Sequence, residues 1–304
     1  MKKTILALAL SVITGTSFAA VKIDRVGYIG AELGGTAQIG DQDDDFIYSN
    51  MAKAGGDVTI RLSENFAVIG GGEARIKFSG SEFDDKAYVG GDSMYDVDRL
   101  TIGALTELGK TTLGQQCGIA DDYAGFGDLS KEFGIGVNAD EVACTEQMIN
   151  HKFTGDNYAV GASYDFEFDS YAVGGSVNIS NVQLAGTYTS ATEVGHYDIK
   201  DAYTVGAIAT FGDLQTAAKY AMAETTDHAG NVTDLTGYAI SGAYALSEVL
   251  SLATSYNIVD TAETDDYFTA GASYQLNEHV ELVTDYKFAS DSDDKVFLRA
   301  NVSF

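Results

Sequence analysis

Beyond residue 20 the chain alternates. In 268–276, Phe268, Ala270, Ala272, Tyr274 and Leu276 share one parity, and Thr269, Gly271, Ser273 and Gln275 share the other. Successive side chains of an extended strand point to opposite faces, so one face is apolar and the other small or polar. The pattern recurs at 171–179, where Tyr171, Val173, Val177 and Ile179 oppose Ala172, Gly174, Ser176 and Asn178, and at 250–258, where Leu250, Leu252, Tyr256 and Ile258 oppose Ser251, Ala253, Ser255 and Asn257. No stretch shows a helical period. The alternation predicts strands near 22–39, 57–62, 66–79, 94–107, 110–116, 147–154, 158–166, 169–179, 182–190, 201–211, 213–223, 235–246, 249–259, 266–276, 279–289 and 295–304. That is sixteen; one hairpin fewer or more would make fourteen or eighteen.

A soluble sandwich also alternates, so the connections decide the class. Tight turns such as Gly155-Asp156-Asn157, Ser180-Asn181, Gly212-Asp213, Ser247-Glu248 and Asn277-Glu278 take turns with longer, acid-rich links. Short turns on one side and longer loops on the other, joining an even number of strands, mark a transmembrane β-barrel. The N-terminus agrees: Met1-Lys2-Lys3, an apolar stretch from Thr4 to Ile13 and the small-x-small site Ser17-Phe18-Ala19 read as a signal peptide over 1–19, leaving one barrel domain over 20–304. No apolar run after it is long enough for a membrane-spanning helix. An exported chain that stays in a membrane without such a helix must close its sheet, because only then is no hydrogen-bonding edge left in lipid. The fold class is therefore all-β, a transmembrane antiparallel barrel. Proline is absent, as suits ladders that use nearly every N–H. Tyr158, Tyr164, Tyr188, Tyr203, Tyr220, Tyr238, Tyr244, Tyr256, Tyr274 and Tyr286 fall on outward parity near strand ends, where an aromatic girdle belongs.

Charge narrows the partners. The formal net charge is −27, and two units lower once Lys2 and Lys3 leave with the signal peptide. That argues against nucleic acid and for counter-ions at an outer rim, which lipopolysaccharide and its divalent cations supply. With four histidines and no spacing that assembles a nucleophile, base and orienter, the residues predict no catalysis, no cofactor and no metal centre.

Two motifs point to a family. The last strand, from Lys295 to Phe304, places Val296, Leu298, Ala300, Val302 and Phe304 on one face and ends in Phe. It resembles the C-terminal signal that the barrel-assembly machinery reads in bacterial outer-membrane proteins. Leu108-Gly109-Lys110, running on through Gly114 to Gln116, resembles the turn and fifth strand of the general, trimeric porins of Gram-negative bacteria. After it comes the longest link, 117–146. Its segment Phe126 to Gly134 resembles the porin constriction loop, with Asp128 four residues before Glu132-Phe133-Gly134; Lys131 stands where the family has Pro. The resemblance implies that 117–146 folds into the lumen, with Asp128 and Glu132 as the acidic side of the constriction. Parity turns Arg61, Arg75, Arg99 and Lys152 inward, on strands where family porins carry the opposing basic cluster. A homotrimer in the outer membrane is implied, passing small hydrophilic solutes and, given the acids at its mouths, preferring cations. A substrate-selective channel and an adhesive or structural envelope barrel are the rival readings. Cys117 and Cys144 flank the loop in a chain bound for an oxidising compartment, which predicts a disulfide, with two free thiols as the alternative. Glycines at Gly34-Gly35 and Gly70-Gly71-Gly72 thin the first and third strands, either as strand kinks or where neighbouring barrels approach.

Overall fold

The computed structural model describes residues 22–39, 46–81, 95–123, 125–134, 144–190, 193–194, 197–226, 232–260, 264–289 and 294–304. The proposed signal peptide lies outside them. Sixteen strands form the barrel: β1 (Lys22–Ile39), β2 (Phe46–Ser63), β3 (Phe66–Ser81), β4 (Tyr95–Thr106), β5 (Gly109–Cys117), β6 (Cys144–Thr154), β7 (Tyr158–Asp165) and β8 (Ser170–Ile179). The second half is β9 (Val182–Ser190), β10 (Tyr197–Phe211), β11 (Leu214–Thr226), β12 (Val232–Ala245), β13 (Leu250–Asp260), β14 (Thr264–Asn277), β15 (Val280–Ala289) and β16 (Asp294–Ser303). A two-residue rung, Glu193–Val194, pairs with the start of β10.

Each strand pairs antiparallel with its sequence neighbours, and β1 closes the cylinder on β16 from Gly30↔Ser303 to Ile39↔Asp294. Closure ends at Phe304, whose amide donates to the Ile29 carbonyl at 2.8 Å and whose carbonyl accepts from the Ile29 amide at 3.1 Å. Among the described residues no helix is long and apolar enough to cross a membrane. Crossing falls to the strands, and closure leaves no ladder edge toward lipid.

The alternation sorts side chains as the sequence predicts. Leu252, Tyr256, Phe268, Tyr274, Leu282 and Leu298 face outward and are exposed, while Ser255, Asn257, Thr269 and Asp285 face inward and are buried. Outward rings meet across strands, with Tyr203, Tyr220 and Tyr238 in series at centroid separations of 5.8 and 5.0 Å. At the turn between β4 and β5, Gly109 has φ of +119°, and a Cβ there would lie 2.4 Å from the Lys152 carbonyl. Only glycine makes that turn.

One strand departs from its expected bounds. The alternation marked 57–62, whereas β2 runs from Phe46 to Ser63. Its extra outward positions include Ala52, Ala54 and Gly56, opposite Ala31, Ile29 and Gly27 on β1. Small outward residues give too little apolar contrast for a period-two signal.

Candidate functional site: the narrowed lumen

Loop L3 leaves β5 at Cys117 and turns inward. Cys117 and Cys144 stand opposite each other on β5 and β6, 3.8 Å apart at Cα, and are joined by a disulfide. From this root a single 3₁₀ turn, Asp121–Tyr123, lays Ile119, Ala120 and Tyr123 on Ala172 of β8 and Ala185 of β9, with Phe126 against the same cluster. Those wall positions are small, so the loop finds room without displacing the sheet. Burial of the Tyr123 ring and the Ile119 side chain stabilises this contact by roughly 1.5–3 kcal/mol each.

The loop then follows the inner wall strand by strand. Gly127 passes so close to β10 and β11 that a Cβ would sit 2.6 Å from the Ala218 carbonyl, and its φ is +84°. The Leu129 amide donates to Ser241 Oγ on β12 at 3.0 Å. Lys131 Nζ donates to Ser251 on β13 and Ser273 on β14, both at 3.2 Å. At the tip, the amides of Glu132 and Phe133 both donate to Asp285 Oδ2 of β15, at 2.9 and 3.1 Å. Phe133 packs edge-on against Phe297 of β16, with centroids 6.4 Å apart, and Tyr267 of β14 donates to the Gly134 carbonyl at 2.5 Å. Described L3 therefore covers the wall from β7 to β16 and leaves β1–β5 bare.

The bare wall is charged and internally paired. Arg99 reaches Asp57 at 2.8 Å; Arg75 pairs with Asp98 and lies 3.9 Å from Glu73; Lys53 lies 3.7 Å from Glu32. Tyr28 donates to Glu73. Between this wall and the root of L3 is a cavity of about 370 Å³, lined among others by Arg75, Arg99, Lys110, Asp121, Asp122 and Lys152.

The residues expected at the constriction are therefore distributed. Glu132 reaches the lumen, but its partner is Arg299 of β16 at 3.5 Å, a cation that also lies 3.6 Å from Glu32. Asp128 turns back into the loop and accepts from the Ser130 amide at 2.9 Å. Arg75 and Arg99 face the lumen, each held by an acid of its own wall. Lys152 binds Asp122 at 2.6 Å at the loop root. Arg61 is exposed near the β2–β3 turn, level with Lys22, and has no partner among the described residues. Parity gave the inward direction of each side chain but not its height in the barrel, and height decides who meets whom. Arg299 and Asp285 carried the same inward signal; what was missing was the path of L3, which ends on their strands.

Burial pushes the Glu132 carboxyl above the usual carboxylate range; Arg299 opposes the shift, and Asp285 and Glu32 add to it. Of the glycines noted in the sequence, Gly70 and Gly72 face outward with Gly27 and Gly56, along a shallow hollow that also includes Val58 and Leu100. Gly34 and Gly71 face inward, beneath Arg299 and Arg99.

A closed barrel of sixteen strands, apolar outside, charged inside and narrowed by a loop pinned to its inner wall, defines an outer-membrane channel protein. The chain belongs to the Gram-negative porin family, whose model matches residues 5–294. It is similar to outer membrane protein U of Vibrio parahaemolyticus, with 27% identity over 97% of this chain and 92% of that protein. Among solved structures it shares its fold with OmpT of Vibrio cholerae in trimer form, at a TM-score of 0.73 and 16% identity, covering 94% of this chain and all of that one (100%). The anion-selective porin of Comamonas acidovorans matches at a TM-score of 0.72 and 13% identity, over 93% and 100% of the two chains.

Proposed function

We propose that this porin is a general diffusion channel for small hydrophilic solutes and ions, and that it prefers cations. The observation that carries the reading is the asymmetry of the lumen: the described residues of L3 follow the β7–β16 wall, and the charged wall of β1–β5 faces them across the interior. A lumen crossed by a loop but not filled by it passes solutes by size and field, without chemistry. On the bare wall each of Arg75, Arg99 and Lys53 is offset by a nearby carboxylate. The excess acid of the chain, −27 overall, then sets the sign of the potential at the mouths. The anion selectivity of the Comamonas porin shows that this fold does not fix the sign; the charges do.

The same reading takes the protein as a homotrimer, as the trimeric Vibrio cholerae neighbour suggests, with the glycine-lined hollow on β1–β4 at or near the contact between copies. It places lipopolysaccharide and divalent cations at the acidic outer rim, and gives Phe304 to the barrel-assembly machinery as its C-terminal signal. Glu132 contributes acid to the constriction and Arg75 and Arg99 the facing base, while Asp128, turned into the loop, Lys152, at its root, and Arg61, near the β2–β3 turn, act on the field from outside the narrowest point.

Reconstitution in planar bilayers tests it. Stepwise conductance is expected, with a cation-signed reversal potential across a salt gradient. Asp128→Asn with Glu132→Gln should lower that potential. An anion-signed potential would remove the selectivity claim, and no conductance at all would remove the channel.

A further inference from the structure

Among the described residues two carboxylates, Asp165 and Asp285, are 1% exposed, and they are satisfied very differently. Asp285 takes the Glu132 and Phe133 amides on Oδ2 at 2.9 and 3.1 Å, and the Tyr286 amide on Oδ1 at 3.1 Å. Asp165, the last residue of β7, takes the Glu167 amide on Oδ1 at 2.8 Å. Its Oδ2 is buried and has no hydrogen-bond partner among the described residues. A carboxylate withdrawn from water is costly unless donors or a positive charge compensate it. Donors do so at Asp285; at Asp165 one oxygen is left over.

Asp165 lines a cavity of about 10 Å³, together with Ser163 of the same strand, Ser170 of β8, Thr189 of β9 and Gly118 of L3, among others. That is room for about one sphere of the size of a water molecule. The three hydroxyl-bearing residues are buried like the acid. No Lys, Arg or His is among the described residues that line the cavity. A carboxylate and three hydroxyls suit a hard cation, and two properties of the cavity narrow the class. An ion enters it without a water shell, which Mg²⁺ gives up reluctantly. One carboxylate balances one positive charge, so a divalent ion would leave a buried charge uncompensated.

We infer that Asp165, with Ser163, Ser170 and Thr189, binds one dehydrated monovalent cation at the root of L3, with sodium as the probe ion. The inference goes beyond the channel reading and does not depend on the selectivity of the pore. The position gives the ion a structural role. Ser163 Oγ accepts from the Ile119 amide at 3.1 Å, and Asp165 Oδ1 holds the Glu167 amide of the β7–β8 turn. A cation shared by Ser163 and Asp165 therefore ties the start of L3 to that turn.

The test is hydrogen–deuterium exchange of the full-length barrel in neutral detergent, read at the Ile119 and Glu167 amides because their acceptors line the cavity. Sodium chloride is compared at equal ionic strength with calcium chloride and with choline chloride, whose cation is too large for the cavity. With sodium at about ten times its dissociation constant, both amides should exchange roughly tenfold more slowly than in choline, as mass action requires. Amides of β13 to β15 should exchange alike in both salts. Asp165→Asn, which keeps the shape and removes the charge, should exchange at the choline rate in either salt. Should that variant not fold, Ser170→Ala, which removes one hydroxyl, should need more sodium for the same protection. Equal exchange of the wild type in sodium and choline would overturn the site, leaving a water molecule or a protonated Asp165 in its place. Stronger protection by calcium than by sodium would overturn the monovalent assignment. Full sodium protection in Asp165→Asn, or an unchanged sodium requirement in Ser170→Ala, would overturn the ligands named.

Discussion

The two halves of the lumen solve opposite problems. From β7 to β12 the described part of L3 lies against short inward side chains, Ala172, Ala185 and Ser241, and at its tip it meets the longer Asp285, Tyr267, Phe297 and Arg299. From β1 to β5 the inward positions carry long charged chains, Lys53, Glu73, Arg75 and Arg99, which pair with their neighbours and stay open to water. The difference shows how one sheet positions a constriction: small residues receive the first part of the loop, and hydrogen-bonding residues such as Asp285 fix its tip. Hydrogen bonds rather than area hold the tip, since the contacts from Leu129 to Gly134 are mainly amide or ammonium groups meeting wall oxygens.

The comparison breaks most directly at Asp285. One carboxylate oxygen takes both tip amides, and a hydrogen bond to a charged group contributes about 1.5–3 kcal/mol. Asp285→Ala should undock the tip, raising single-channel conductance and the current noise well above those of wild type, while β-sheet circular dichroism stays unchanged. Next comes Gly206 on β10. A Cβ there would meet the Phe126 carbonyl at 2.7 Å, so Gly206→Val should lift the middle of the loop at about 1–3 kcal/mol of overpacking. Its conductance should change less than that of the Asp285 variant, because the tip keeps its anchors.

The smallest expected effect is titration of Glu132. Its pKa is raised in the docked loop, so docking is most stable below the ordinary carboxylate range, and that increment is lost as pH rises through the raised value. Acidification should therefore quiet the loop and weaken cation preference together. Glu132→Gln should keep the low-pH behaviour at every pH. A full pH response in that variant would assign the titration to another group.

Much of this fold was legible in the sequence because a membrane barrel repeats one rule. Period two gave the inside and outside of strands such as β8, β13 and β14, and alternating connection lengths gave the topology. The rule weakened where its contrast did, at the small outward residues of β2. The disulfide was readable from two cysteines at the ends of one loop. The candidate site was legible only in part: the motif pointed to Glu132, which reaches the lumen, and to Asp128, which turns into the loop, and parity gave the inward direction of Arg75 and Arg99. Their partners were not, because Glu132 meets Arg299 only after L3 has passed nine strands, and nothing local in the chain encodes that path. Asp285, Ser241 and Tyr267 escaped for the same reason.

The central claim, that the described residues of L3, 117–123 and 125–134, follow the β7–β16 wall, has a direct test. Leu129 and Ser241 are joined through the Leu129 amide and Ser241 Oγ at 3.0 Å. Leu129→Cys with Ser241→Cys, oxidised in the assembled barrel and located by mass spectrometry, should form its own disulfide beside the native one and leave conductance nearly unchanged. Failure of the two to cross-link, or a cross-link that abolishes the current, would contradict the account.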